Sequence, residues 1–388
     1  MAQYRLKQFK SVLIIRKSTD AWFWDKYGIN PYNGCEHGCI YCDSRSSKYY
    51  LPTDFENDII VKENIGSMLE SRIKKARTLL PDIVAMAGAS DPYHAAESRY
   101  NNTQQCLHIL NKYGFPVHIL TKSKLVLRDM DILQDIGEKT WSCVSVTITT
   151  SDPDLARFLE PKAPSPDQRF EIIRKIKKTS PDIQSGVLLM PIIPFLGDAP
   201  WQLEDVIKTA KDSGADYVLF GAGMTMRNVQ ALWFLKHLKR KFPSLIPKYE
   251  QLYQFRYDPE NYYGNYVTTG SYYQQINETL LNLCHKHNMP FRIKRYIPGD
   301  YRGVNYLIAE KLLNEAYENQ ILNTADKDLF WTGLNIQRLK ESITGIYQKG
   351  ELSKIPNMNL RIRNKISEIL KSINQLPNEN KQLNLFQD

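Results

Sequence analysis

Between Trp22 and Lys241, six short β-like runs alternate with six helix-like segments, a pattern that restricts the chain to parallel β/α architecture. The runs are FWDKYGI (23–29), IVAMAG (83–88), VHILTK (117–122), CVSVTITT (143–150), GVLLMPII (186–193) and YVLFGAG (217–223). They are mostly apolar, so each strand is expected to be buried. Helices are predicted near 64–80, 98–113, 129–137, 165–178, 201–213 and 226–242. Ser165-Pro166 gives the fourth an N-cap followed by proline at the first helical position. Gly214 fits a stop after the fifth. Periodicity leaves open whether the sheet is doubly wound or closes toward a barrel.

In β/α barrels, function gathers where strands run into loops. Those junctions read Asn33-Gly34-Cys35, Gly88-Ala89-Ser90-Asp91, Thr121-Lys122-Ser123, Thr147 to Ser151, Pro191 to Pro194 and Gly221 to Met224. Polar groups, glycines and a cysteine therefore share one edge of the predicted sheet. Alternation puts Ser145, Thr147 and Thr149 on one face of the fourth strand.

Three of the six cysteines stand in NPYNGCEHGCIYCDSR, at the spacing C-x3-C-x2-C. Three thiolates on one loop can hold an iron–sulfur cluster and leave one iron open to an external chelator. Gly34 and Gly38 ease the tight turns such a loop needs. Zinc held by the three cysteines and His37 is the alternative. Cys106, Cys143 and Cys284 read as small buried hydrophobes, Cys284 also as a hydrogen donor if folded inward. No apolar run reaches the roughly 18 residues of a membrane span. The N-terminal stretch has only the short patch Val12 to Ile15 between charges, so a cytoplasmic protein without a membrane partner is expected.

With Tyr41 as its aromatic, the C-x3-C-x-aromatic-C loop after a first strand resembles the signature of the radical S-adenosylmethionine superfamily. The segments NPYNGCEHGCIYC, GASDPYHAAE, ILTKSKLVLRDMDIL, SVTITTSDPDLARFLEPKAPSPDQRF and LLMPIIPFLGD, over about residues 30–200, resemble its spore photoproduct lyase-like branch, whose namesake repairs a thymine dimer in DNA. The resemblance implies an α/β fold, a partial six-stranded parallel β/α barrel with a mostly helical C-terminal extension. It implies a 4Fe–4S cluster on Cys35, Cys39 and Cys42, with S-adenosylmethionine chelated at the open iron. Reductive cleavage of that cofactor would give a 5′-deoxyadenosyl radical that takes a hydrogen atom from substrate. By position, Ser90 and Asp91 would meet the cofactor's methionine amino group and Lys122 its carboxylate. Thr147 would meet its polar edge and Tyr41 its adenine. An electron donor such as flavodoxin or ferredoxin is implied as well. Glu160 and Arg169 lie in the matched region as a candidate ion pair without an assigned role. One departure stands out: the dimer lyase carries a cysteine hydrogen donor just ahead of the Ser-Asp pair, where this chain has Ala87, Gly88 and Ala89.

The expected organisation is an N-terminal segment (1–21), the barrel (22–245), a Tyr-rich and helical extension (246–373) and a tail (374–388). Residues 304–320 and 334–373 read as helical. Arg292-Ile293-Lys294-Arg295-Tyr296 is the candidate surface for a nucleic-acid backbone, with nearby tyrosines for base stacking. In the tail, Gln382, Leu383, Leu385 and Phe386 resemble the pentapeptide with which bacterial repair proteins dock on the DNA sliding clamp. With a net charge of +9, this tips the expected substrate toward DNA and repair-type lyase chemistry. Two alternatives remain open here: radical modification of RNA, protein or a small molecule, and a zinc- or cluster-bearing nucleic-acid-binding module without radical chemistry.

Overall fold

The computed structural model describes residues 2–52, 54–221 and 223–375. The chain divides into two compact units, Met1–Lys294 and Arg295–Asp388. The clamp-like residues Gln382, Leu383, Leu385 and Phe386 lie outside the described residues.

In the first unit, strands β1 (Gln3–Lys7), β2 (Leu13–Ile15), β3 (Tyr27–Ile29), β4 (Tyr32–Asn33), β5 (Asp58–Lys62), β6 (Val84–Met86), β7 (Val117–Thr121), β8 (Ser142–Thr147), β9 (Gln184–Leu189) and β10 (Val218–Phe220) form two sheets. The larger has the order β10-β9-β8-β7-β6-β3-β2. The strands from β3 to β10 run parallel, and β2 adds to β3 antiparallel. All six predicted strands are present, and β10 does not pair with β3, so the barrel is partial. The helices Ile65–Lys74, Asn102–Lys112, Met130–Lys139, Pro166–Thr179, Pro200–Asp212 and Asn228–Lys241 stand where the alternation puts them. Ser165 forms a reciprocal capping box with Gln168, and Gly214 ends the fifth helix with φ +78°.

The smaller sheet, β1-β5-β4, gave no signal in the sequence. The segment 1–21 thus contributes strands to both sheets. β4 ends at Asn33, just before the cysteine loop, and pairs antiparallel with β5. The cysteine loop is therefore an excursion whose two stems are held side by side.

Inside the barrel a buried polar chain replaces the usual aliphatic filling. His118 Nε2 lies 2.6 Å from Ser145 Oγ, which lies 2.5 Å from the Tyr217 hydroxyl; Cys143 Sγ is 3.2 Å from the same hydroxyl. Gly186 stands opposite Ser145 in register, and a Cβ there would meet the Tyr217 carbonyl at 2.5 Å. Cys106 and Cys284 are buried on their helices.

The Tyr-rich segment folds inward. Tyr249 and Tyr253 are fully buried and donate to the carbonyls of Pro194 and Met224; Tyr273 also donates to Met224. These rings pin the loops after β9 and β10. The basic stretch is likewise turned in, which corrects its reading as a backbone-binding surface. Arg292 donates to the Ala21 carbonyl and lies over the Trp24 ring, while Ile293 is fully buried. Within the second unit, Arg295 is buried 3.6 Å from the Tyr306 ring centroid. Of the three cations only Lys294 is exposed.

The second unit is helical: Arg302–Ile321, Lys327–Ile336, Ile343–Gln348 and Leu360–Gln375. The helical reading of 334–373 is broken twice. Ser342 starts a new helix as its N-cap, and Gly350 and Asn357 take φ of +72° and +65°, which no helix continues through.

Burial pushes His118 down to about 3, so the folded barrel keeps it neutral. The unfolded chain, with an ordinary value of 6.5, binds that proton earlier. Stability from this site is therefore present above pH 6.5 and is lost as pH falls toward 3, at up to about 1.4 kcal/mol per pH unit. Denaturation of wild type and His118→Gln between pH 7 and 4 should show a shallower acid loss in the variant.

Candidate active site

The C-terminal ends of β3, β6, β7, β8, β9 and β10 open on a cavity of about 430 Å³. It is lined jointly by Cys35, Cys39, Cys42, Tyr41, Ser90, Asp91, Lys122 and Thr147, so every expected cluster and cofactor residue reaches one space. Trp22, Phe23, Leu188 and Met190 supply its apolar wall.

The cysteine loop is held from three directions. Cys35 N–H donates to the Phe55 carbonyl at 2.9 Å. Gly34, with φ +89°, has no room for a side chain, because a Cβ would meet that same carbonyl at 2.9 Å. Glu36 accepts from the Tyr4 hydroxyl on β1 at 2.8 Å and from Ala96 N–H at 2.9 Å, and its other contact is His94 Nδ1 at 2.8 Å. Arg45 donates to the Cys39 carbonyl at 3.0 Å and pairs with Glu56 at 2.7 Å. Burial raises the Cys35 and Cys39 thiols, Cys39 to about 12, with nearby Lys122 opposing the rise at Cys39.

Asp91 is the best-satisfied carboxylate in the site. One oxygen accepts from the Thr121 hydroxyl at 2.6 Å and Tyr93 N–H at 2.8 Å. The other accepts from Lys122 N–H at 2.7 Å and lies 3.1 Å from His37 Nε2. Burial alone would raise its pKa, but His37 and these donors hold it well below the carboxylate range. Asp91 thus locks the loops after β6 and β7 to each other and to His37. Ser90 Oγ donates to the Tyr32 carbonyl at 2.9 Å.

Glu160 and Arg169, for which the sequence offered no role, form a fully buried ion pair beside the cysteines. The Tyr41 hydroxyl and, at 3.3 Å, the Thr149 hydroxyl donate to Glu160. Arg169 also donates to the Thr147 and Pro164 carbonyls. Lys122 Nζ stands 3.8 Å from Glu160, facing the cavity. Burial would discharge Lys122, but Cys39 and Glu160 keep its ammonium above the ordinary lysine value. The network therefore links cysteine loop, strand end and cavity lysine.

A second constellation was missed. Asp43, next to Cys42, accepts from Tyr49 at 2.6 Å and Thr225 at 3.1 Å and pairs with Arg227 at 3.1 Å. Arg227 in turn lies 3.9 Å from the Tyr266 ring centroid. These residues join loops nearly two hundred positions apart, and no local pattern announces them. At the place of the expected hydrogen-donor cysteine, Ala87, Gly88 and Ala89 line the cavity, and Gly88 takes φ +120°.

Removing one member of the buried pair leaves an uncompensated charge. Arg169→Met should cost about 3–5 kcal/mol in chemical denaturation. The double change Arg169→Met with Glu160→Gln should recover part of that loss. Gly34→Ala should impair iron loading of the cysteine loop while leaving the far-ultraviolet dichroism unchanged.

Residues 29–210 match the model of the Radical SAM superfamily. An uncharacterized protein of Mycobacterium tuberculosis is 29% identical over 268 residues, which cover 68% of this chain and 75% of that protein. A radical SAM Nalpha-GlyT isomerase of Pseudomonas phage M6 is 22% identical over 196 residues, covering 46% of this chain and 39% of that one. Among solved structures, spore photoproduct lyase complexed with dinucleoside spore photoproduct has the same fold, with a TM-score of 0.54 and 16% identity over 73% of this chain and 79% of that one. The cysteine loop and the partial parallel barrel thus accompany a match to the radical SAM superfamily over residues 29–210, a little under half of the chain.

Proposed function

We propose that this protein cleaves S-adenosylmethionine reductively in the cavity between Cys35 and Thr147, and that it acts on DNA. The observation that carries the reading is the convergence of three thiols, Ser90, Lys122 and Thr147 on one space at the strand ends. A radical SAM domain takes a 4Fe–4S cluster and S-adenosylmethionine as its cofactors. Together they supply an electron and a sulfonium C–S bond that it breaks.

The residues present fit that pair. Cys35, Cys39 and Cys42 offer soft sulfur donors on the cavity wall. Burial of Cys35 and Cys39 makes their free thiolates costly, a penalty that bound irons would reverse. Lys122 presents a charged ammonium to the cavity as the partner for the cofactor carboxylate. Ser90 and Thr147 offer hydroxyls to its amino group and polar edge, and Tyr41 offers a ring face to its adenine. Asp91 and Glu160 hold these groups in place through the contacts described above. Trp22, Phe23, Leu188 and Met190 keep water from the reacting space. A zinc site of the three cysteines with His37 draws no support from this geometry. His37 is committed to Asp91.

Three features support DNA as substrate: the shared fold with a structure holding dinucleoside spore photoproduct, the net charge of +9 and the clamp-like tail. The reaction departs from reversal through a thiol ahead of Ser90, since Ala87-Gly88-Ala89 has none. Likeness to a phage isomerase favours a chemistry wider than dimer splitting.

Anaerobically reconstituted protein, reduced with dithionite, should release 5′-deoxyadenosine, faster with damaged DNA than with RNA or without nucleic acid. No release from loaded protein would overturn the enzyme reading, and equal rates across substrates would overturn the DNA reading. Binding to duplex DNA should weaken steeply between 50 and 200 mM salt, by about tenfold or more. A chain ending before Gln382 should lose capture by the bacterial sliding clamp that the full chain shows; equal capture would remove the tail from the account.

A further inference from the structure

Not every tyrosine of the first unit turns inward. Tyr49, Tyr50, Val229, Tyr263, Tyr266 and Val267 are large apolar side chains left exposed, and they fall in three segments, 43–50, 225–229 and 262–267. Those segments meet at the edge of the active-site cavity. Asp43 and Thr225 line the cavity, and Thr225 donates to Asp43 at 3.1 Å. Met226 N–H donates to the Tyr266 carbonyl at 2.9 Å. Single exposed rings scattered over a surface need no explanation, but rings gathered at the entrance to a reaction site do.

The rings are held out on firm supports. Ser47 N–H donates to Asn228 Oδ1 at 3.3 Å, and Asn228 Nδ2 donates to Ser46 Oγ at 3.1 Å. Tyr49 is then fixed by its hydroxyl, which donates to Asp43 at 2.6 Å. In the third segment, Asn265 N–H donates to the Tyr253 carbonyl at 2.8 Å and the Tyr262 hydroxyl to the Asn265 carbonyl at 2.7 Å. Gly264 between them has no room for a side chain, because a Cβ would meet the Tyr262 hydroxyl at 2.6 Å. Tyr266 gives one face to the Arg227 guanidinium, 3.9 Å from its centroid, and stays 45% exposed. Asp43 is the one carboxylate in the three segments, and it is spent on Tyr49, Thr225 and Arg227. Lys48 lies 5.6 Å from the Tyr49 centroid and, among the described residues, has no ion-pair partner.

We propose that this patch is a stacking platform for an unpaired nucleotide of the substrate strand, its base on Tyr266 and Tyr49 and its phosphate toward Lys48. The proposal rests on the reading of the cavity as a site that acts on DNA. Every base has a π-face that an exposed ring can cover, and a nearby cation suits the backbone that follows it. In a duplex both faces of a base are already stacked. The platform therefore gains its contact only from a base that has left the stack, the same state that chemistry on a base requires. Arg227 behind Tyr266 stiffens the ring from its other side. An extended peptide is the poorer occupant. It is held by backbone pairing to a strand edge, and none of the three segments is a strand. Because the rings are fixed before anything binds, little ordering is left for the binding step.

The test uses the full reconstituted chain and an oligodeoxynucleotide carrying one 2-aminopurine, alone or in a fully paired duplex. The single strand should bind the parent more tightly than the duplex does, and its 2-aminopurine emission should fall on binding as the base stacks. In Tyr49→Ala/Tyr266→Ala, single-strand affinity should drop by about tenfold or more and the emission change should vanish. Tyr266→Phe, which keeps the ring and loses the hydroxyl, should stay within about twofold of the parent. Lys48→Ala should weaken binding and flatten its salt dependence while the emission change persists. Iron content and far-ultraviolet dichroism report intact folding of each variant. Unchanged single-strand affinity and emission in the double alanine variant overturn the platform alone. So does a loss in Tyr266→Phe as large as in the alanine variant, because the hydroxyl and not the ring is then what matters. Binding of neither form by the parent overturns the DNA reading itself, a result distinct from DNA binding that ignores these rings.

Discussion

Arg169 meets Glu160 in a volume closed to water, and the cysteine loop, the fourth parallel strand and the cavity lysine all hang on that pair. Two charges taken out of water cost several kcal/mol each, so such a pair persists only where further donors complete it. Here Tyr41 and Thr149 donate to Glu160, while Arg169 donates to the Thr147 and Pro164 carbonyls. The consequence reaches the chemistry. Cys39 and Glu160 keep Lys122 charged against its burial, so a fixed positive charge faces the cavity.

The smaller sheet supplies the other constraint. Pairing of β4 with β5 brings the two stems of the cysteine loop together, and Gly34 passes so close to the Phe55 carbonyl that only glycine fits. Asp91 then fixes the loops after β6 and β7 to His37. These contacts together set three thiols on a wall in advance of any cofactor. Preorganisation of this kind keeps the cost of ordering out of the binding step. On the outer side the same loop is covered by one packed apolar layer.

Much of this was legible in the chain. The six strands and their helices follow from alternating apolar runs, and Ser165-Pro166 caps its helix as read. Cys35, Cys39 and Cys42 could be picked out by their spacing, whereas Ser90, Lys122 and Thr147 followed from the family resemblance, at points where a strand runs into a loop. Other features depend on distant partners and leave no local mark. The Asp43–Arg227 pair joins positions 184 apart, and β1 pairs with β5 across more than fifty positions. The basic run from Arg292 misled because sequence shows charge but not direction. Arg292 and Arg295 bury their stems and stack on Trp24 and Tyr306, so their charge never becomes a surface. The tyrosines misled in the same way, since a ring suited to base stacking is equally suited to pinning a loop from within.

Cys35, Cys39 and Cys42 would hold the cluster, and Lys122 lines the same cavity as a fixed positive charge. Electron paramagnetic resonance of the reduced, reconstituted protein, with iron and sulfide counted on the same sample, tests it most directly. The account predicts about four irons and four sulfides per chain. It also predicts a signal that changes on addition of S-adenosylmethionine, with a weaker change in Lys122→Met. One zinc per chain, or a cluster signal indifferent to S-adenosylmethionine, would contradict it.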